Sequence, residues 1–345
     1  MGKSKKGLKI GILTAGGDCP GINAAIRGVA KTAMFEYGMK VIGISSGFRG
    51  LIENEYSELT EKRLSGILTL GGTVLGTSRE KPFKTKNEYK DSVSNSAIIK
   101  KNYKNLELDA LVCIGGNGTM NTAFKLSEEG MNIIGIPKTI DNDVWGTDQT
   151  FGFDSAVGIA TDAIDRLHTT ANSHKRIMLI ELMGHHAGWL TLFAGIAGGG
   201  DIILIPELSF SPEILVKSIK KRYSKKKPYS IVVVAEGIKT PEKQSPARYI
   251  SKLIQEETGL ETRDTILGYI QRGGTPSAMD RILATRFGSH AVSLIVEKKF
   301  GNMVSLQNNR MTYIALSEVA NKKKLVPPDH SLIMKGKSLG TCFGI

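Results

Sequence analysis

Cysteine and tryptophan are scarce in this chain of 345 residues, which contains three of the former and two of the latter. The cysteines, Cys19, Cys113 and Cys342, lie far apart and show neither the spacing of a metal site nor that of a disulfide framework. We therefore expect a cytoplasmic protein, because free thiols suit a reducing compartment. The two tryptophans come without an aromatic ladder or a recognised nucleic-acid motif.

Long apolar runs are also absent. No stretch approaches the ~18 consecutive apolar residues of a membrane-spanning helix, and the first residues lack the apolar core of a signal peptide. We therefore expect no membrane partner. Hydrophobic residues still make up 41% of the chain, enough to bury a sizeable core, and the length suits two domains or one large α/β unit.

Acidic residues are outnumbered by lysine and arginine, and the net charge is +13. A basic balance suits nucleic acid, anionic membranes or phosphorylated metabolites as partners. The densest basic run, residues 220–227, is most simply interpreted as a solvated helix end and loop. Since no nucleic-acid motif accompanies the charge, we favour small phosphates as ligands and expect no nucleic acid.

Short apolar runs alternate with helical patterns, in two sets. The first set contains strand-like runs at residues 9–14, 40–45, 110–114 and 132–136. The second set contains strands at 176–182, 201–205 and 230–235, with helices at 156–171 and 212–221. This alternation predicts parallel sheets with helices on both faces, and ligands beyond the carboxyl ends of the strands. Two such units facing each other would form a cleft.

Glycine-rich turns mark the ends of several of these runs. Gly16 and Gly17 follow the first, Gly71 and Gly72 precede the lone cation Arg79, and "GGNGT" follows the run at 110–114. Such turns, when a helix follows, point free N–H groups at an anion. Neither the lysine-containing P-loop nor the dinucleotide G-x-G-x-x-G pattern is present. A simple tight turn remains the alternative for each segment taken alone.

The segment "GIPKTIDNDVWGTD" is the sharpest chemical signal. It places Asp141 and Asp143 two residues apart after a strand, with Lys138 and Thr139 just before them. One carboxylate can act as a general base on a hydroxyl group while the other holds magnesium. The alternative is an Asx-rich turn or a calcium loop, although the twelve-residue EF-hand spacing is missing.

A third group of polar residues lies downstream, and each member taken alone is ordinary. Together its arginines could hold a sugar phosphate and its carboxylate a sugar hydroxyl. The members are Arg176, His185, His186, Glu236, Arg263 and Arg272. The two histidines lack partners at metal-ligand spacing, so zinc is not indicated.

The blocks that carry these residues resemble the 6-phosphofructokinases. They are "TAGGDCPGINAAIRG", "GGTVLGTSR", "IGGNGT", "PKTIDND", "AIDRLHTTANSHKR", "MGHHAGW" and "LGYIQRGGTPSAMDR". They occur in the family's order and spacing over about residues 9–288. The resemblance implies an α/β fold of two stacked Rossmann-like, three-layer domains with mainly parallel sheets and the active site in the cleft between them.

The resemblance also implies an activity and a role for each domain. Residues 1–152 and 271–320 would form the ATP domain, and residues 153–270 and 321–345 the fructose 6-phosphate domain. The implied reaction transfers the γ-phosphoryl group of ATP to the 1-hydroxyl of fructose 6-phosphate, with Mg²⁺, in glycolysis. Active sites shared between subunits of a homodimer or homotetramer are expected. Allosteric control is expected as well.

The family's functional positions map onto this sequence as four groups. The catalytic positions are Asp141 as the base, Thr139, Arg79 and Arg176. The phosphoryl-donor positions are Gly16, Gly17, Arg79, Glu80, Gly116, Asn117, Gly118 and Thr119. The sugar-phosphate positions are Thr139, Ile140, Asp141, Arg176, Met183, Gly184, His185, Glu236, Arg263, Tyr269, Ile270, Gln271 and Arg272. Asn117 and Asp143 would hold the metal.

Two positions depart from the family pattern, and two bear on the donor. Asn117 stands where an aspartate is usual, and His185 where an arginine is usual. Gly118 favours ATP because it leaves space for the α-phosphate, whereas Lys138 is typical of pyrophosphate enzymes. Since a blocked α-phosphate site would exclude ATP outright, we predict ATP, with pyrophosphate as the alternative donor. A non-catalytic subunit and a polyanion-binding protein are the rival functions.

Overall fold

The computed structural model of the chain describes residues 7–83, 94–227, 229–241 and 244–345. The chain divides into two compact units. Unit 1 consists of Met1–Thr139, Val144–Gly152 and Arg272–Lys323. Unit 2 consists of Ile140–Asp143, Phe153–Gln271 and Lys324–Ile345.

Strands and helices alternate through most of the described chain. The strands are β1 (Lys9–Thr14), β2 (Lys40–Ile44), β3 (Tyr56–Glu58), β4 (Ala110–Gly115), β5 (Ile133–Pro137), β6 (Ile177–Leu182), β7 (Ile202–Leu204), β8 (Ser230–Ala235), β9 (Thr262–Ile266), β10 (Asn302–Gln307) and β11 (Arg310–Ala315). The helices are α1 (Ile22–Tyr37), α2 (Phe48–Glu53), α3 (Glu61–Leu64), α4 (Asn95–Asn105), α5 (Asn117–Glu128), α6 (Phe153–His174), α7 (Trp189–Ala197), α8 (Pro212–Ser224), α9 (Pro246–Thr258), α10 (Ala278–Val296), α11 (Leu316–Val319) and α12 (Ser331–Ser338).

The sheet of unit 1 has the strand order β11-β10-β5-β4-β1-β2-β3. Its central strands are parallel, while β3 and β11 are antiparallel edge strands. All six residues of β4 are buried, as expected for a strand with both faces covered. This confirms the prediction of an α/β fold with mainly parallel sheets.

Helices α1 and α10 of unit 1 pack against each other through glycines. A Cβ atom at Gly28 would lie 2.9 Å from the carbonyl oxygen of Thr285, and one at Gly288 would lie 2.7 Å from that of Ala25. Either side chain would force the helix backbones apart. Helix α10 thus packs as part of unit 1.

Unit 2 has a smaller, entirely parallel sheet with the order β7-β8-β6-β9. Its core lies between the sheet and α8 and α9, and includes Leu179, Val232 and Ile250, each of which has no exposed surface. None of the helices in the described ranges is long and apolar enough to cross a membrane.

Candidate active site

The carboxyl ends of β1 and β4 form the topological switch point of unit 1. These strands are adjacent and parallel, yet α1 leads from β1 to β2 on one side and α5 leads from β4 to β5 on the other. The two connections diverge, so a crevice opens above the strand ends, which is where open α/β sheets bind ligands. The predicted donor glycines Gly16, Gly17 and Gly116 all lie here.

Hydrogen bonds join the loops at this crevice. Thr119 Oγ1 donates to the carbonyl oxygen of Ala15 at 3.3 Å. The Gly16 N–H donates to the carbonyl oxygen of Ser78 at 2.9 Å, and Thr77 Oγ1 donates to that of Gly16 at 2.6 Å. The segment that carries Arg79 is therefore tied to the β1 loop, and the structure brings these predicted donor positions together.

The side chains on this segment differ in their exposure. Arg79 and Glu80 are exposed. Ser78 Oγ is buried without a hydrogen-bond partner among the described residues, a state that buried hydroxyls rarely adopt without water or a ligand nearby. The segment thus offers a cation at the surface and a hydroxyl beneath it.

Two cations lie beneath the β1 loop. Lys138 is 3% exposed, and its Nζ donates to the carbonyl oxygen of Gly17. Arg272 Nη1 donates to the carbonyl oxygen of Asp18 at 3.2 Å. A Cβ atom at Gly17 would lie 2.7 Å from Arg272 Nη1, so glycine leaves room for the guanidinium. Both cations therefore lie at the loop that the sequence analysis assigns to the phosphoryl donor.

Helix α5 begins at Asn117, directly above β4. Gly116 is its N-cap, and the first turn contains neither a side-chain cap nor an acidic residue. The N–H groups of the first turn and the positive end of the helix dipole therefore lie at the crevice. The Thr119 N–H donates within the turn, to the carbonyl oxygen of Gly116 at 2.9 Å. Gly118 is exposed, and a Cβ atom there would meet nothing within 4 Å. The space beside Gly118, which the sequence analysis predicts for the α-phosphate of ATP, is therefore open.

The acid-bearing loop begins unit 2. Ile140 has no exposed surface, and Asp141 and Asn142 are 9% and 4% exposed. Asn142 has a φ of 51°, a left-handed conformation that asparagine tolerates better than most residues. Thr139 immediately precedes this loop, and its carbonyl oxygen accepts a hydrogen bond from Thr150 Oγ1 at 2.7 Å. The loop is ordered and largely buried.

The loops after β6 and β8 meet at Glu236. Its Oε1 accepts from the N–H groups of Gly184 at 3.3 Å and His185 at 2.8 Å. A Cβ atom at Gly237 would lie 2.0 Å from the carbonyl oxygen of His185, so only glycine permits this approach. The structure thus brings Glu236 together with the predicted sugar positions that follow Met183.

Arg176 and Arg263 lie elsewhere in unit 2. They are at the amino ends of β6 and β9, whereas Glu236 follows the carboxyl end of the neighbouring β8. A strand of six residues spans roughly 20 Å. Within one chain the two arginines are therefore separated from the Glu236 group by the length of the sheet.

The remaining sugar positions follow β9, in a short 3-10 helix, Gly268–Arg272. Tyr269 and Ile270 are 73% and 68% exposed, whereas Gln271 has no exposed surface. Gln271 Nε2 donates to the carbonyl oxygen of Gly268 at 3.1 Å. Gln271 therefore lies in the interior of this segment, and Tyr269 and Ile270 are the accessible members.

Sequence reasoning did not identify two charged residues that contact predicted ones. Glu261 pairs with both Arg176 and Arg263, and Lys324 binds the loop at Asn142. Neither lies within a recognisable motif. Across the described ranges, no cluster of three or more histidine, cysteine or acidic residues is arranged to hold a metal ion.

Comparisons with known proteins agree on one family. A family model described as phosphofructokinase matches residues 9–295. ATP-dependent 6-phosphofructokinase 3 of Bacteroides thetaiotaomicron is 58% identical over 337 residues, 98% of this chain and 100% of that protein. ATP-dependent 6-phosphofructokinase of Spirochaeta thermophila is 56% identical over an alignment of 355 residues, 97% of each chain.

Other matches are more distant. A pyrophosphate–fructose 6-phosphate 1-phosphotransferase of Amycolatopsis methanolica is 43% identical over 340 residues, 93% of this chain and 97% of that protein. A solved phosphofructokinase structure from Saccharomyces cerevisiae has a TM-score of 0.80 and 32% identity, and the match covers 90% of this chain and 45% of that chain.

Proposed function

Because the chain belongs to the phosphofructokinase family, we propose that it is a 6-phosphofructokinase, which transfers the γ-phosphoryl group of ATP to the 1-hydroxyl of fructose 6-phosphate. The products are ADP and fructose 1,6-bisphosphate. The observation that carries the proposal is the 58% identity over the full length of a relative named as ATP-dependent. The crevice described above supplies the physical basis for phosphate binding.

On the donor side, the triphosphate lies at the β1 and β4 loops. Gly16 and Gly17 allow its close approach, and the start of α5, at Asn117 and Gly118, offers N–H groups to its oxygens. Thr119 lies in the same turn and offers its side chain, since its N–H donates to Gly116. Arg79 and Glu80 extend over it from the segment tied to Gly16. The buried charge of Lys138 and the half-buried charge of Arg272 support this assignment, because both side chains donate to carbonyl oxygens of the β1 loop.

On the reacting side, Asp141 accepts the proton of the sugar's 1-hydroxyl group while the hydroxyl oxygen attacks the γ-phosphorus of ATP. The bond from that phosphorus to the bridging oxygen breaks, and ADP leaves. Thr139 holds the phosphoryl group beside Asp141, and Arg79 offsets its charge. Catalysis of this kind depends on positioning and charge neutralisation, which suits a buried, ordered loop.

The residues at hand fit magnesium as the metal. The candidate ligands, Asn117 and Asp143, provide only oxygen atoms, the donors that Mg²⁺ prefers. Mg²⁺ is usually held by one or two protein oxygens together with substrate phosphates and water, so a dedicated cluster of three protein ligands is not needed. When bound, the ion would neutralise charge on the donor phosphates.

On the acceptor side, the sugar phosphate needs residues from two chains. The carboxyl-end group contains Met183, Gly184, His185 and Glu236, and Tyr269 and Ile270 are exposed after the carboxyl end of β9. Arg176 and Arg263 lie a strand length away at the amino ends of β6 and β9. This separation supports a homodimer or homotetramer in which the arginines of one subunit complete the site of another.

Pyrophosphate remains the second candidate donor, favoured by the buried Lys138 beside Gly17. Two observations favour ATP instead. The space around Gly118 is open, and the relatives named as ATP-dependent at 56–58% identity are more similar than the relative named for pyrophosphate at 43%. We also place the enzyme in the cytoplasm, where its free cysteines remain reduced.

The deciding experiment measures formation of fructose 1,6-bisphosphate by the purified protein with ATP and, separately, with pyrophosphate. We expect turnover with ATP, a strong preference over pyrophosphate, and loss of activity in Asp141→Ala. Turnover with pyrophosphate alone would overturn the donor assignment. No turnover with either donor would favour a non-catalytic subunit.

A further inference from the structure

The C-terminal segment at residues 324–326 holds the acid-bearing loop of unit 2. Lys324 Nζ donates to Asn142 Oδ1 at 2.9 Å, and the Lys324 N–H donates to the carbonyl oxygen of Asp143 at 2.9 Å. Asn142 stands between Asp141 and Asp143, so one lysine fixes the loop at two consecutive residues.

This segment is itself firmly anchored. Trp189 Nε1 donates to the carbonyl oxygen of Lys324 at 2.8 Å. The carboxylate of Glu207 accepts from the Val326 N–H at 3.0 Å and from the Gly188 N–H at 2.9 Å. Helix α7 therefore supports the segment from its first turn, and the segment supports the loop.

The ammonium group of Lys324 contributes more than one hydrogen bond. Its Nζ lies 5.4 Å from the centroid of the Trp189 ring, within the range of a cation–π interaction. Its bond to the buried amide of Asn142 is charge-assisted, and such bonds are stronger than neutral ones. The left-handed turn at Asn142 is consequently restrained by a side chain 182 residues away in sequence.

We propose that Lys324 is a positioning residue for phosphoryl transfer, holding the loop so that Asp141 faces the attacking hydroxyl; this inference rests on the function proposed above. Lys324 acts through Asn142 and Asp143 and touches neither substrate. A displacement of about 1 Å at a reacting group can lower a rate by roughly a hundredfold, so a restraint on this loop affects turnover directly.

The first test compares Lys324→Met with Lys323→Met in the full-length protein. Both remove one lysine charge, but Lys323 is exposed and its side chain is not involved in the network. For Lys324→Met we expect kcat to fall about tenfold to a hundredfold, while KM for ATP and fructose 6-phosphate stays within about threefold. Lys323→Met should match the parent. Lys324→Arg should restore part of kcat, because it keeps the charge and a donor.

A double-mutant cycle isolates the contact. Asn142→Gly removes the amide acceptor while tolerating the left-handed backbone. If the bond is responsible, adding Lys324→Met to Asn142→Gly lowers kcat by much less than it does in the parent. Equal losses in the two backgrounds, or a Lys324→Met variant with the parent's kcat, would overturn the proposal. If Lys324→Met does not fold, Lys324→Arg and Asn142→Gly carry the same test.

Tryptophan fluorescence gives a reading that is independent of activity. The chain has two tryptophans, so Trp145→Phe leaves Trp189 as the sole reporter. In that background Lys324→Met should shift or brighten the emission, because the ammonium leaves the ring, and Lys323→Met should not. Unchanged emission would contradict the contact between the Lys324 ammonium group and the Trp189 ring. An inactive parent would instead defeat the proposed function, and the fluorescence result would still stand.

Discussion

Arg176 and Glu261 form an ion pair in which Nε and Oε2 are 2.7 Å apart. The other carboxylate oxygen of Glu261 is 2.5 Å from Nη2 of Arg263. One carboxylate therefore holds both arginines assigned to the sugar phosphate. Its position just before β9, beside the start of β6, orients two guanidinium groups before any substrate arrives, which lowers the cost of ordering them on binding.

Replacing Glu261 with glutamine should weaken sugar-phosphate binding. Glu261→Gln removes the charge that orients both arginines, and we expect KM for fructose 6-phosphate to rise about fivefold, with kcat within about twofold of the parent. Steady-state kinetics with varied fructose 6-phosphate would measure this. Glu256→Gln is the matched control, because the one ion pair that Glu256 makes among the described residues is with Lys252 on the exposed side of α9. An unchanged KM in Glu261→Gln would contradict the role.

The titration of Glu261 sets the pH range in which this arrangement holds. Its hydrogen bond with Arg176 lowers the pKa of Glu261 below the ordinary value of 4.5. A lowered pKa means that the ion pair is present above that value and is lost only as the pH falls through the lowered pKa. The titration of Glu261 should therefore cause no change in KM for fructose 6-phosphate between about pH 6 and pH 8.

The parts of the fold that follow from local patterns could be predicted from sequence. The runs that became β1 and β4 are apolar and buried, and glycine-rich turns follow them. Their strand conformation and the candidate ligand-binding turns at their ends can therefore be predicted from the local sequence. The hairpin of β10 and β11 was not predicted, although Asn308 and Asn309 carry a signal. Both have a positive φ, 49° and 60°, as the tight turn of a two-residue hairpin requires.

The contacts that complete the candidate site could not be predicted, because they join distant parts of the chain. Lys324 follows two other lysines, and such a run usually lies on a solvated surface. Only the fold brings it to Asn142. Glu261 is similarly ordinary in sequence, and it acquires its role because β6 and β9 are neighbours in the sheet.

The three cysteines should differ sharply in reactivity. Burial raises the pKa of the Cys19 thiol to about 12 and also raises the pKa of Cys113. A raised pKa leaves a thiol protonated and unreactive at pH 8. Cys342 is only partly buried, so an aromatic disulfide reagent should react quickly with one thiol in the native enzyme and with three after unfolding.

Cys342→Ser provides the control for this assignment, because it should abolish the fast reaction. Raising the pH from 8 to 9 should not make the other two thiols reactive, since Cys19 remains protonated throughout that range. Rapid labelling of Cys19 in the native enzyme, followed by mass spectrometry of the modified peptide, would contradict the prediction.

Converting Asn117 to aspartate should strengthen the metal site. Asn117→Asp adds a charged oxygen ligand, and we expect the Mg²⁺ concentration at half-maximal turnover to fall about threefold or more. The new carboxylate also lies in the first turn of α5 and should stabilise the helix by about 0.5 kcal/mol. Asn95→Asp is a matched control, because Asn95 begins α4 in the same way. It should affect stability without changing the Mg²⁺ requirement, and an unchanged requirement in Asn117→Asp would count against a metal role.

Filling the open space at Gly118 should change which phosphoryl donor is used without lowering the stability of the protein. Gly118→Asp puts a carboxylate where a Cβ atom meets nothing within 4 Å, so the fold accommodates it, and its charge favours the first turn of α5. The melting temperature should therefore be unchanged or slightly raised. Turnover with ATP should nevertheless fall at least a hundredfold, because the new side chain occupies the α-phosphate position and repels its charge.

Pyrophosphate has no third phosphate to displace, so its turnover by Gly118→Asp should fall far less or increase. Gly158→Asp is the matched control: Gly158 also lies on a helix, a Cβ atom there would likewise meet nothing within 4 Å, and it is remote in sequence from the donor loops. If Gly158→Asp keeps the parent's ratio of ATP to pyrophosphate turnover and Gly118→Asp reverses it, the missing side chain at residue 118 determines the donor. Full ATP turnover in Gly118→Asp would show that the α-phosphate binds elsewhere.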